Sequence, residues 1–356
     1  MKPILQSIEF VTRLIHHYFI WIILASYFVA AWLPGFGLWV REVELGSLVV
    51  LRNKIDLSLP PLLLSLLLFN AGLGVKPKEL ARVAHKPQIL LSGLLGNLVT
   101  PLGFIIGASF VMALWHNPEE VQHILVGLAL VASMPIAGAS TAWAQNADGN
   151  LALSLGLVLF TTFLSPLLTP LVLHAVGFVT TGDYSEDLHE VASDGVVSFL
   201  GIWVIMPSLC GMLAHHLIGE ERIAAVKPHI KLVNYGVLLL LNYSNASLSL
   251  PKAMSEPDLD FLGLLLVIVV ALCIMAFATG YLIARLFHTN RQDMAALMFG
   301  LGMNNNGTGL VLVSVALADH PEVMLPIIFY NLVQHLMASL VDFTVFQKGT
   351  GLYKTA

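Results

Sequence analysis

Apolar residues run along this chain in long blocks rather than in alternation. Ten blocks stand between polar or Pro/Gly breaks, at about 17–34, 59–75, 88–113, 122–144, 150–178, 196–217, 229–250, 259–287, 293–317 and 322–346. A membrane-crossing helix takes about 20 mostly apolar residues. A lipid-facing segment must also satisfy its own backbone, which favours helices. The pattern therefore predicts an all-α polytopic membrane protein with ten transmembrane helices. Val29-Ala30-Ala31 resembles a signal-peptide cleavage site. The apolar stretch is long, however, and Trp32-Leu33-Pro34-Gly35 follows it, so a retained first helix is expected.

Composition sharpens this picture. Of 356 residues, 57% are hydrophobic and 11% are charged, against about 25% charged in a soluble domain. That excludes a soluble enzyme and a disordered scaffold. With 17 basic and 22 acidic residues the net charge is −5, so there is no basic footprint for nucleic acid. Cys210 and Cys273 each lie inside an apolar run and read as small hydrophobes, with no disulfide framework. No zinc-protease, phosphate-loop or nucleophile-elbow motif is present, so no catalytic residue is assigned and an enzyme is not expected.

The few charges are sorted by side. With ten spans, the termini and even-numbered loops hold 13 of the 17 basic residues: Lys2, Arg13, Lys76, Lys78, Arg82, Lys86, Arg222, Lys227, Lys231, Arg285, Arg291, Lys348 and Lys354. The other side holds Arg41, Arg52, Lys54 and Lys252. Cytoplasmic loops are rich in Lys and Arg, which predicts cytoplasmic termini in a plasma (inner) membrane. Asp183, Glu186, Asp187, Glu190 and Asp194 read as a solvated connector. Asp148 and Asp342 fall near the cytoplasmic ends of their spans and read as interfacial charges.

The connector 179–195 divides one membrane domain, 1–356, into two five-span halves, 1–178 and 196–346, followed by a cytoplasmic tail, 347–356. An odd span count per half implies inverted topology if the halves share a fold, the arrangement typical of secondary transporters. The fourth span contains Ser133-Met134-Pro135-Ile136-Ala137-Gly138-Ala139-Ser140-Thr141. The ninth contains Gly300-Leu301-Gly302-Met303-Asn304-Asn305-Asn306-Gly307-Thr308-Gly309. Proline removes an amide donor and glycine lets the backbone leave the helix. Both spans are thus expected to break at mid-membrane, where helix ends offer amides to an anion and carbonyls to a cation. Close packing of small residues is the other use of such glycines. Paired blocks in corresponding places favour a site.

At these residues the chain resembles the bile acid:sodium symporter family, as a divergent bacterial-type member. The likeness is carried by Met134-Pro135 through Ala139-Ser140, Gly149-Asn150-Leu151-Ala152-Leu153-Ser154 and Leu164-Ser165-Pro166-Leu167-Leu168-Thr169-Pro170. It continues in Gly302-Met303-Asn304-Asn305, in Phe69-Asn70-Ala71-Gly72-Leu73 and in Lys76-Pro77. The resemblance implies two inverted five-helix repeats, with the broken fourth and ninth helices crossing in a core domain that moves against a panel domain. It implies a first sodium site on Ser140, Thr141 and Ser154. A second falls on Asn97 and Asn304, with carbonyls near Leu301 and Met303. Substrate-side residues fall on Asn305, Gln334 and His335, with the helix end at Gly138 and Ala139. Two departures stand out: the family's sodium-site Glu is Gly300 here, and a helical Thr is Val158. Only neutral oxygens then remain for the ion.

The expected function is secondary active transport of a small carboxylate-type organic anion by alternating access, with sodium symport as the family default. No cofactor, no metal beyond sodium and no nucleic-acid partner is expected. A proton-coupled or uncoupled carrier or exporter on the same fold is the alternative, with His335 as either a proton carrier or a hydrogen-bonded packing residue. A non-transporting sensor or complex subunit is the alternative of another class.

Overall fold

The computed structural model describes residues 14–15, 18–50, 53–75 and 87–347. Lys2, Arg13, Arg52, Lys76, Lys78, Arg82, Lys86, Lys348 and Lys354 of the charge pattern lie outside the described residues, as do Pro77 of the family-like motif and residues 348–356 of the tail. Two compact units divide the chain, and each draws on both halves of the sequence. Unit 1 takes Met1–Val75, Phe199–Asp258 and Leu310–Met324; unit 2 takes Lys76–Ser198, Leu259–Gly309 and Leu325–Ala356.

In unit 1, α1 (Phe19–Trp32) meets α2 (Gly35–Glu42) at a 90° bend. Pro34 lies at the bend, where its ring disfavours helical geometry in the residue before it. Where the hydrophobic pattern predicts no element, β1 (Glu44–Val50) pairs antiparallel with β2 (Asn53–Ser58). Next comes α3 (Leu59–Leu73), with Pro60 and Pro61 in a first turn whose amides have no helical partner in any case. Two long helices follow, α9 (Val196–Ile218) and α10 (Glu220–Ser255), the latter 36 residues long. Glycines let α3 and α9 cross backbone to backbone. A Cβ on Gly72 would lie 2.1 Å from the Ser208 carbonyl oxygen, and one on Gly211 would lie 2.0 Å from that of Phe69.

Unit 2 contains α4 (Pro87–Met112), α5 (Pro118–Ser133), α6 (Ala139–Asn146) and α7 (Leu151–Gly177). It continues with α8 (Asp183–Glu190), α11 (Leu259–Leu286), α12 (Arg291–Gly302), the start of α13 (Asn306–Ala316), and α14 (Met324–Val341). Asn117, Asn150 and Asn290 cap α5, α7 and α12 by accepting first-turn amides. The caps are linked, because Asn150 Nδ2 donates to Asp293 Oδ1 at 2.7 Å and the Asn150 amide donates to the Gln292 carbonyl. Residues 124–133 of α5 are buried on every face, as a helix apolar all round must be.

The described chain is predominantly helical. Six of its helices are long and apolar enough to cross a membrane, or seven if the bent α1–α2 pair counts as one span. These support a polytopic membrane protein. The remaining expected spans are short or interrupted: α3 has 15 residues, and the fourth and ninth runs are each split in two.

Two expectations need correction. The segment 179–195 is not simply a solvated connector. It forms α8 and runs on in helical geometry, with Leu188, Val191 and Ala192 buried at one-turn spacing while Asp183, Glu186 and Glu190 stay exposed. Its apolar face outweighs its acidity. Asp342 is not an exposed interfacial charge, since it is 6% exposed in a π-helical turn after α14. Asp148 is exposed and holds a left-handed φ of 53°.

The α3–α9 crossing predicts that Gly72→Leu lowers the stability of the purified protein by about 1–3 kcal/mol or more. Gly103→Leu, where a Cβ meets nothing within 4 Å, stays near wild type. Thermal unfolding in detergent checks both.

Candidate functional site

The two helix breaks meet each other inside unit 2. Between α5 and α6 the chain leaves the helix through Met134–Ala137, where Pro135 cannot donate; between α12 and α13 it is extended through Met303–Asn305. Ile136 and Asn304 pair as an antiparallel bridge. The Ala137 amide donates to the Met303 carbonyl at 2.9 Å, and the Asn305 amide donates to the Pro135 carbonyl at 2.8 Å. Each break thereby partners backbone groups that the other leaves without helical bonds, as a low-dielectric interior requires.

Side chains complete the satisfaction. The Ile136 amide donates to Thr161 Oγ1 at 3.1 Å, and Thr169 Oγ1 donates to the Ser133 carbonyl at 2.7 Å. Gln334 clamps Asn304 from both directions: Oε1 accepts the Asn304 amide at 3.0 Å, and Nε2 donates to the Asn304 carbonyl at 3.3 Å. Asn304 Nδ2 reaches across to the Val131 carbonyl at 2.8 Å. Asn305 Oδ1 accepts the Thr308 amide and caps α13.

Five buried polar atoms around this crossing have no hydrogen-bond partner among the described residues. They are Ser140 Oγ, Asn304 Oδ1, both amide atoms of Asn306, and Thr308 Oγ1. A buried group left unpaired costs about 1–3 kcal/mol, and native proteins hold few of them. They lie in the break at Asn304 and in the first turns of α6 and α13, where a ligand could supply the missing partners. Those helix starts also carry partial positive charge. Gly138 and Ala139 are exposed at the α6 start, and a Cβ on Gly138 would meet nothing.

The expected site residues divide as follows. Ser154 Oγ donates to Thr141 Oγ1 at 3.1 Å, and Ser140 is fully buried on the same short helix as Thr141. Leu301, Met303, Asn304 and Gln334 are buried at the crossing, and Asn305 is half-buried. Asn97 is buried on α4 beside Gly96, whose Cβ would lie 2.9 Å from Leu301 Cδ2, yet no hydrogen bond among the described residues links Asn97 to Asn304. His335 is buried on α14 next to Gln334. Thr161 and Thr169, which hold the break, were not expected in the site, and Asn306 and Thr308, which present orphaned atoms, lie in the ninth-span block read as a site but had no role assigned to them. Their signal was hydroxyls and amides inside apolar runs.

Gly300 occupies apolar surroundings. A Cβ there would meet Leu157 Cδ1 at 3.1 Å and Ile136 Cδ1 at 3.9 Å. Leu157 and Ile136 belong to one buried cluster with Leu153, Leu297 and Leu301, against which Val158 also packs. The two departures from the resembled pattern, Gly300 and Val158, thus border the same apolar cluster.

The chain belongs to the sodium bile acid symporter family, whose model matches residues 61–256, just over half of its length. This is a family of transporters and not of enzymes. Over 223 residues the chain is 29% identical to the uncharacterized protein YbaS of Bacillus subtilis, covering 62% of this chain and 68% of that protein. It is 24% identical to the uncharacterized sodium-dependent transporter YocS of the same organism, over 81% of this chain and 84% of the relative. It is also 24% identical to sodium/bile acid cotransporter 7 of Xenopus tropicalis, over 82% and 83% of the two chains.

The clamp on Asn304 predicts that Gln334→Leu leaves a buried amide unpaired and lowers stability by about 1–3 kcal/mol. Gln334→Glu keeps the acceptor for the Asn304 amide and is expected to lose less. Chemical or thermal unfolding of the purified variants decides the order.

Proposed function

We propose that this protein is a sodium-coupled secondary transporter of a small carboxylate-type organic anion, working by alternating access. The observation that carries the reading is the cluster of orphaned polar atoms at the paired helix breaks. Membership of a symporter family and likeness to relatives named as sodium-dependent add to it. In this reading ten helices form two inverted repeats, 1–178 and 196–346, joined by 179–195. Both termini face the cytoplasm from the inner membrane.

The ion is held by neutral oxygens from Ser140, Thr141 and Ser154, and by Asn97, Asn304 and the carbonyls of Leu301 and Met303. Ser140 Oγ, buried without a partner among the described residues, has the chemistry of such a ligand. The anion is met by the amino end of α6 at Gly138 and Ala139, and by Asn305, Gln334 and His335. A partial positive charge aimed by fixed amides holds a carboxylate without a formal cation. Gly300 and Val158 favour a second reading, proton-coupled or uncoupled carriage, because they put apolar packing where the resembled family has an acid and a threonine.

Reconstituted protein under an inward sodium gradient is expected to accumulate a labelled monocarboxylate. Asn305→Ala should cut uptake at least about tenfold, a loss of roughly 1.4 kcal/mol. Failure to move any carboxylate under either a sodium or a proton gradient refutes transport, and uptake indifferent to sodium selects the second reading. Gly300→Glu places a carboxylate against Leu157 and Ile136, so its melting temperature without sodium should fall below wild type. Added sodium should close part of that gap; an unchanged melting temperature without sodium contradicts the apolar assignment.

A further inference from the structure

Unit 1 contains a polar cluster that the crossing in unit 2 does not use. Its anchor is Arg41, on the short helix α2. Gly37 and Arg41 are four residues apart and share one face of that helix. A Cβ on Gly37 would lie 2.2 Å from Ser247 Oγ, so α2 presses directly onto α10. The contact lays Arg41 along α10, where Nη1 donates to Asn245 Oδ1 at 2.7 Å. Nη2 donates to the Ser314 carbonyl at 3.1 Å. Both acceptors are neutral. Among the described residues no carboxylate pairs with this half-buried guanidinium.

The face of α10 that receives Arg41 holds more unpaired polar atoms. Asn242, Asn245 and Ser249 are 2%, 0% and 4% exposed. Their spacing of three and four residues puts them on a single face. Asn242 Nδ2, Asn245 Nδ2 and Ser249 Oγ have no hydrogen-bond partner among the described residues. A cation and three unpaired groups able to donate therefore gather along one buried surface. A guanidinium without a countercharge in a low-dielectric setting calls for an anion. Its planar fork matches the two oxygens of a carboxylate.

We infer that Arg41, Asn242, Asn245 and Ser249 form an anion site in unit 1 that takes the carboxylate group of a small organic acid. This site is separate from the helix-break crossing and does not depend on the ion coupling proposed there. Arg41 supplies the charge, and the α10 donors fix the orientation of the two oxygens. The site gives a role to Asn242, Asn245 and Ser249 in a segment that otherwise reads as a membrane span, whereas the neighbouring Ser244 and Ser247 donate to carbonyls of α10 itself.

The test is thermal unfolding of the purified full chain at constant sodium, with sodium acetate, pyruvate or benzoate replacing sodium chloride at equal ionic strength. At least one carboxylate is expected to raise the melting temperature by about 2 °C or more. The crossing proposed above also takes a carboxylate, so the effect is read in Asn305→Ala, which alters the crossing: part of the rise should persist there and should vanish in the Asn305→Ala/Arg41→Gln double variant. In that background Arg41→Lys keeps the charge without the fork and should lose most of it. Asn242→Leu should match or exceed wild type in basal melting temperature, because it removes an orphaned group, yet show a reduced carboxylate effect. The proposal is overturned if no carboxylate improves on chloride, or if Arg41→Gln and Arg41→Lys respond like wild type. A rise lost entirely in Asn305→Ala and unchanged in Arg41→Gln would confine the anion to the crossing and also overturn it.

Discussion

The mutual pairing of two broken helices is the constraint on which unit 2 depends. A helix interrupted inside an apolar bundle strands amides and carbonyls where water cannot reach them. Here each interruption satisfies the other. The bridge between Ile136 and Asn304, with Ala137 bonded to Met303 and Asn305 to Pro135, replaces lost helical bonds with a short antiparallel ladder. Either break alone would be expensive; together they are a stable piece of extended backbone. Thr161, Thr169 and Gln334 tie off what the ladder leaves over.

Such an arrangement has a functional consequence. Once the backbone is satisfied, polar side chains at the starts of α6 and α13 remain available, and Ser140, Asn304, Asn306 and Thr308 keep orphaned atoms buried there. A bundle selected only for stability would replace them with apolar groups of similar size. Their retention at the ends of two oriented helices is the physical case for a ligand. The apolar cluster beside Gly300 bounds that case, because any ion held here must rely on neutral oxygens. In unit 1 the same logic recurs, with Arg41 facing neutral acceptors and an α10 face whose donors are unpaired among the described residues.

Much of this was legible in the sequence. Apolar blocks marked the helices, and Pro135 with the Gly300–Gly309 run marked both interruptions, because proline and glycine act locally. What stayed hidden was tertiary. No local rule predicts that Pro135 and Asn305 will bond, or that Thr161 will serve an amide 25 residues away. The acidity of residues 183–194 concealed the buried spacing of Leu188, Val191 and Ala192. Asp342 read as interfacial because its burial depends on partners that a sequence does not display. Arg41 stood as one more loop charge until the bend at Pro34 turned α2 onto α10.

The central claim is that the paired breaks form a ligand site for sodium. Equilibrium binding of radioactive sodium to the purified protein tests it most directly. The account predicts saturable binding, displaced by unlabelled sodium but not by potassium, and weakened or lost in a correctly folded Ser140→Ala/Ser154→Ala double variant. Absence of saturable binding in the wild type, or equal binding by the double variant, would contradict it.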